Sequence, residues 1–275
     1  MITLEQLQAG IVLPVDKPRQ WTSFQAVNKI KSILRKTYQT TPLLPGEGPG
    51  VRPKFKIGHA GTLDPLATGL LLVCIGKATK TIPQLQDGDK VYTGTFVFGA
   101  TTPCFDLERP IDHYYPYEHI SPALLEETLP QFTGTIMQVP PMFSAVKIAG
   151  QRAYEYARTD DPSVTILPKP VTVYSFEFTA FHEGTKNIQV LKDSKVLKDQ
   201  KNLYKNPIGE VPAHLPQADF RIHCGKGTYI RSIARDLGLA LGSGAFLSAL
   251  RRESIGEYSV DKALQLDQVE DYLTR

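Results

Sequence analysis

The 275-residue chain predicts an α+β protein, and three observations carry the prediction. Some stretches repeat apolar residues at helical spacing, and others alternate them as a strand does. The two kinds follow each other without the regular strand–helix alternation of a doubly wound sheet. No internal repeat is present. With 41% hydrophobic and 21% charged residues, the chain has an ordinary globular balance.

The elements follow in order. Residues 12–15 form a short apolar strand candidate. Thr22-Ser-Phe-Gln25 has the spacing of a capping box, and Phe24, Val27, Ile30 and Leu34 continue it as a helix to about Lys36. The Pro/Gly-rich stretch 40–53 predicts a loop. Residues 70–75 are a short apolar run between glycines, consistent with a buried strand, and residues 91–98 alternate. Ser121-Pro122 opens a helix, with serine as cap and proline at its first position. Residues 171–181 and 220–224 predict further strands. Thr228 begins a helix with Ile230, Ile233, Ala234, Leu237 and Leu241 on one face, ended by Gly242. Lysines at 186, 192, 195, 198, 201 and 205 mark an exposed extension: a solvated face, or the minority reading, a phosphate contact.

Composition excludes some functions. The net charge of +3 permits nucleic-acid binding without demanding it. Cys74, Cys104 and Cys224 are scattered and form no CxxC pair, so neither a zinc site nor a disulfide framework is expected. Isolated thiols suit a reducing compartment. The first ten residues lack a signal-like apolar core, and no apolar run is long enough to cross a bilayer. A cytoplasmic protein is expected. No GxSxG, Ser-His-Asp order or metal-ligand cluster supports a hydrolase.

The chemistry lies in residues 56–80, KIGHAGTLDPLATGLLLVCIGKATK. Gly58, Gly61, Gly69 and Gly76 punctuate it. Asp64 is its one carboxylate, and Pro65 biases Asp64 away from helix. A carboxylate flanked by Leu63, Leu66 and residues 70–73 suits a nucleophile or general base. On composition alone, Asp-Pro equally starts a turn.

GHAGTLDPLATG followed by GKATK closely resembles the active-site motif of the TruB family of tRNA pseudouridine synthases. Other pieces resemble that family in order: Asp16-Lys17-Pro18 with Thr22-Ser23, Lys90-Val91-Tyr92, residues 138–147 with 152–158, residues 223–231, and Leu250-Arg251-Arg252. The resemblance runs from about residue 13 to 260. It implies a pseudouridine synthase fold: a central mixed, mostly antiparallel sheet flanked by helices, with an inserted RNA-binding thumb at about 138–168. It also implies one catalytic domain over 1–275, with a lysine-rich extension at about 184–212. The family's further C-terminal PUA domain is not expected here.

The resemblance implies site roles too. Asp64 is the catalytic carboxylate. Tyr92 stacks on the flipped base, and Arg231 pairs with Asp64. His59 wedges near the displaced nucleotide. Tyr229 and Leu250 line the pocket, and Lys17, Lys80 and Lys226 contact substrate, with Lys77 a further phosphate candidate. Without the resemblance, Tyr92 reads as a strand tyrosine, His59 as a structural histidine, and the lysines as surface charge. The implied reaction isomerises the T-loop uridine at position 55 of tRNA. It needs no cofactor, metal or obligate protein partner, and a monomer is expected. Alternatives are a synthase for another RNA, or a tRNA folding factor.

Overall fold

The computed structural model describes residues 2–38, 55–142, 147–148, 151–152, 166–184 and 210–274. The expected loop at 40–53 lies outside them, as does most of the insertion at 138–168 and of the extension at 184–212. The chain forms two compact units, Met1–Tyr92 with Arg251–Arg275, and Thr93–Leu250.

In the first unit, helix α1 (Leu4–Ala9) is fixed by a capping box between Thr3 and Gln6. Strand β1 (Ile11–Lys17) follows. The box expected at Thr22 forms: the Thr22 N–H donates to Gln25 Oε1 at 2.8 Å, and the Gln25 N–H to Thr22 Oγ1 at 3.1 Å. It starts α2 (Ser23–Tyr38). The apolar stripe of α2, including Val27, Ile30 and Leu34, packs with Leu13, Val15, Leu71 and Val73.

Strands β2 (Ile57–Ala60) and β3 (Thr68–Ile75) come next. β3 pairs antiparallel with β1 from Ile11↔Ile75 to Lys17↔Gly69. Its other side is divided. Its C-terminal half takes β2 antiparallel, ending at Ala60↔Leu72. Its first two residues pair in parallel with Arg251 and Arg252. β3 is therefore enclosed, which explains its continuous apolar run. Helix α3 (Ile82–Asp87) precedes β4 (Lys90–Phe98), which passes from the first unit into the second.

In the second unit, Ser121 caps α4 (Pro122–Thr128), accepting from the Leu124 N–H at 3.3 Å. Strands β5 (Gly134–Gln138), β6 (Lys169–His182) and β7 (Gln217–Cys224) pair antiparallel in the order β7-β6-β5, with β4 beside β7. Phe96 stacks on Phe220 at 4.1 Å, and Phe176 lies 6.1 Å from Phe96 in the same core. The helix expected from Thr228 begins two residues later, as α5 (Ile230–Ala240) with Tyr229 extended before it. Gly242 ends it with φ +63°.

Residues 245–255 carry no strand alternation in the sequence, yet they form β8 (Ala245–Ile255). β8 returns the chain to the first unit at Arg251. Residues 264–265 then pair in parallel with β1, and α6 (Val269–Thr274) buries Val269 and Leu273 in the α2 core. The mixed pairing and irregular order match the expected α+β class.

Candidate functional site

Asp64 lies in residues 61–67, the connection between β2 and β3. That connection is tied at Gly61, Thr62, Leu63, Asp64, Pro65 and Ala67 to backbone or to a buried side chain. The Asp64 carbonyl accepts from the Ala67 N–H at 3.1 Å, closing a four-residue turn with Pro65 in its second position. Before Asp64, Leu63 is held on both backbone groups by buried Ser23: its N–H donates to Ser23 Oγ at 2.9 Å, and Ser23 Oγ donates to its carbonyl at 3.2 Å. After it, the Pro65 carbonyl accepts from the Gln20 N–H at 2.8 Å and from Lys17 Nζ at 3.3 Å. Gln20 adopts φ +67° to do this. Asp64 itself is half-buried.

Lys17 is the residue the structure places differently. It was expected to reach phosphate, but it is fully buried. Its ammonium donates to the carbonyls of Trp21 at 2.6 Å, Pro18 at 3.0 Å and Pro65. β1 alternates buried and half-buried positions, and Lys17 falls on a buried one, so its donors are met by backbone. Burial lowers its pKa to about 8, with the nearby Asp64 charge opposing the fall. It remains largely charged at neutral pH.

Arg252 is a residue that the motif contained and sequence reasoning did not single out. It is 1% exposed. Its guanidinium donates to the carbonyls of Leu70 (2.8 Å), Gly61 (2.9 Å) and Thr62 (3.5 Å). His59 stands on β2, with Nδ1 buried and without a hydrogen-bond partner among the described residues. Burial, and then the Arg252 charge, lower its pKa, so it is neutral at pH 7.

In the second unit, Arg231 sits in the first turn of α5 and is 5% exposed. It donates to the Cys104 carbonyl at 3.2 Å, and its Nε lies 3.7 Å from Asp106 Oδ2. Asp106 is also buried. It accepts from the Glu108 N–H at 2.9 Å and from Cys104 Sγ at 3.0 Å, and burial pushes that thiol up to about 12. The turn before it contains Phe105 at φ +59°, a left-handed conformation that non-glycine residues seldom adopt. Sequence reading missed Asp106, because nothing local distinguishes it from other loop aspartates. Tyr229 is fixed by Gln138: its N–H donates to Gln138 Oε1 at 2.8 Å, and Gln138 Nε2 donates to its carbonyl at 3.1 Å. Arg235, one turn beyond Arg231, donates to the Val139 carbonyl at 3.0 Å.

The first unit thus gathers Lys17, His59 and Asp64. Lys80 is exposed on the short helix after β3. With Lys56 and Lys77 it lines a hollow of about 260 Å³. Lys226 is exposed in the turn before α5, and Gly227 there takes φ +83°. Tyr92 and Leu250 are half-buried on β4 and β8, each the last residue of its unit before the chain crosses. Among the described residues no group of three or more His, Cys, Asp or Glu could hold a metal.

Known proteins resemble this chain along its length. Residues 50–197 match the model of the TruB family pseudouridylate synthase N-terminal domain, and residues 231–275 that of the tRNA pseudouridylate synthase B C-terminal domain. A tRNA pseudouridine synthase B of Flavobacterium johnsoniae is 45% identical over 99% of this chain and 100% of its own. One from Parabacteroides distasonis is 41% identical over 96% of this chain and 94% of its own. Among solved structures, the archaeal box H/ACA sRNP Nop10-Cbf5 complex matches with a TM-score of 0.56 at 22% identity, covering 97% of this chain and 54% of that chain, a likeness of fold.

Proposed function

The chain belongs to the TruB family of pseudouridylate synthases and isomerises uridine to pseudouridine in tRNA; we propose that its target is the T-loop uridine at position 55, with Asp64 as the catalytic carboxylate. The observation that carries this reading is the turn at Asp64. A half-buried carboxylate on a connection fastened at Gly61, Thr62, Leu63 and Pro65 is fixed in the way a reacting group must be.

The reaction breaks the bond between the ribose and N1 of uracil, turns the base, and joins C1′ to C5. The C5 proton leaves and N1 regains one, so atoms balance without a cofactor. Asp64 acts as nucleophile or base in this sequence. Tyr92 stacks on the extruded uracil. Arg231, whose Nε lies 3.7 Å from the Asp106 carboxylate, is in this reading the arginine that serves the catalytic carboxylate. Tyr229 and Leu250 line the pocket. His59, neutral with an unpartnered ring nitrogen, meets the RNA where the base has left. Extrusion from a loop costs a few kcal/mol. Contacts from Lys80 and Lys226 to phosphates offset part of it. Lys17 is not among these contacts.

The reading extends to a cytoplasmic enzyme acting as a monomer without an obligate protein partner, in one catalytic domain. Three buried free cysteines suit a reducing compartment.

The test incubates the protein with unmodified tRNA transcript and maps pseudouridine at base resolution, with Asp64→Asn alongside. One product in the T loop, absent from the variant, is expected. Product at another position would overturn the substrate assignment. Undiminished product from Asp64→Asn would overturn the carboxylate.

A further inference from the structure

We propose that Arg252 is a positioning residue for Asp64, the post around which the catalytic connection is wound. Its guanidinium holds three carbonyls of one strand–turn–strand unit: Gly61 and Thr62 where the chain leaves β2, and Leu70 where it has re-entered β3. Asp64 lies between those anchors. β8 brings Arg252 there by pairing in parallel with the start of β3, at Arg252↔Gly69.

Arg252 also accounts for both glycines that bound the segment. Gly61 has φ +81°, and a Cβ on it would lie 3.2 Å from the Arg252 guanidinium. Gly69 has φ +99°, and a Cβ there would strike the Arg252 backbone carbonyl. The spacing GTLDPLATG is thus the contour of one buried arginine, with its side chain against one glycine and its main chain against the other.

Its charge supports the assignment. Among the described residues Arg252 has no carboxylate in ion-pair range, and its partners are carbonyls alone. Lys17, which donates to Pro65 in the same turn, is likewise buried among carbonyls. Burying a cation without an ion pair is unfavourable, and an apolar side chain would fill the space more cheaply. Two such cations fasten one seven-residue connection by its carbonyls, so what they supply is position. Arg252 acts through the backbone of the connection, and touches no substrate atom.

The inference rests on the reading of Asp64 given above, and one experiment separates the two. Single-turnover pseudouridine formation on tRNA transcript, tRNA affinity and melting temperature are measured on the full chain carrying Arg252→Lys, Arg252→Ala or Asp64→Asn. Arg252→Lys keeps a charge but cannot span three carbonyls. It is expected to bind tRNA within about twofold of wild type and to react about 100-fold more slowly, the scale of an ångström-sized misplacement. Added guanidinium is expected to restore Arg252→Ala at least tenfold. If Arg252→Ala fails to fold, Arg252→Lys decides alone. Wild-type rate in Arg252→Lys, or a rate loss matched by loss of affinity or folded protein, overturns the inference while Asp64→Asn remains inactive. Activity in Asp64→Asn overturns the underlying reading instead.

Discussion

Arg252 and Arg231 are both buried, one in each unit, and they are held differently. Arg252 donates to carbonyls only, all within the first unit. Arg231 donates to the Cys104 carbonyl and faces the carboxylate of Asp106, itself buried. A guanidinium held by backbone is fixed as firmly as the chain it binds. One that faces a carboxylate is held by charge, and a second carboxylate can share it. The first arrangement suits an anchor. The second suits a group that must engage a reacting partner, the part proposed for Arg231.

The comparison breaks most sharply on the ion pair. Arg231→Met would remove the Arg231 cation from beside buried Asp106, and should destabilise the protein by about 3–5 kcal/mol. Adding Asp106→Leu should recover much of that, because the stranded charge is then gone. Denaturant titration of both variants checks it: equal losses in the single and double variant would mean that Asp106 does not stabilise through Arg231. The anchor is probed through its glycines. Gly69→Ala should cost about 3 kcal/mol, combining left-handed strain with displacement of the Arg252 backbone. Gly242→Ala, with φ +63° and open space around it, should cost only about 1 kcal/mol. Similar melting temperatures for the two would show that Arg252 does not crowd the segment.

The remaining comparison is a pH dependence. The folded pKa of Lys17 is lowered to about 8, below its value of 10.5 in an unfolded chain. Between those values the unfolded state binds more protons, so the penalty for burying this charge is present below pH 8 and fades as pH rises toward 10.5. Relative to Lys17→Met, wild type should therefore gain stability between pH 8 and 10. A flat difference would mean that the three carbonyls hold the ammonium at its ordinary pKa.

Local signals in the sequence carried far. The Thr22–Gln25 box set the start of α2, alternation set β4, and the proline after Asp64 set the turn, because each depends on residues a few places apart. The carboxylate was legible through its contiguous motif. Lys17 was misjudged and Asp106 was missed because their partners do not show in the sequence beside them. Whether a lysine faces water or carbonyls depends on the face of β1 that α2 and the 61–67 connection cover. Nothing in DKP states which face that is.

By itself, then, the sequence determined the fold class, the main helices and strands, the family and the aspartate proposed as catalytic, all of which follow from short-range pattern and motif. Only tertiary structure decided what holds that aspartate. Arg252 is 191 residues from Gly61 and Lys17 is 48 from Pro65. A buried cation reveals its role only when the chain has closed carbonyls around it.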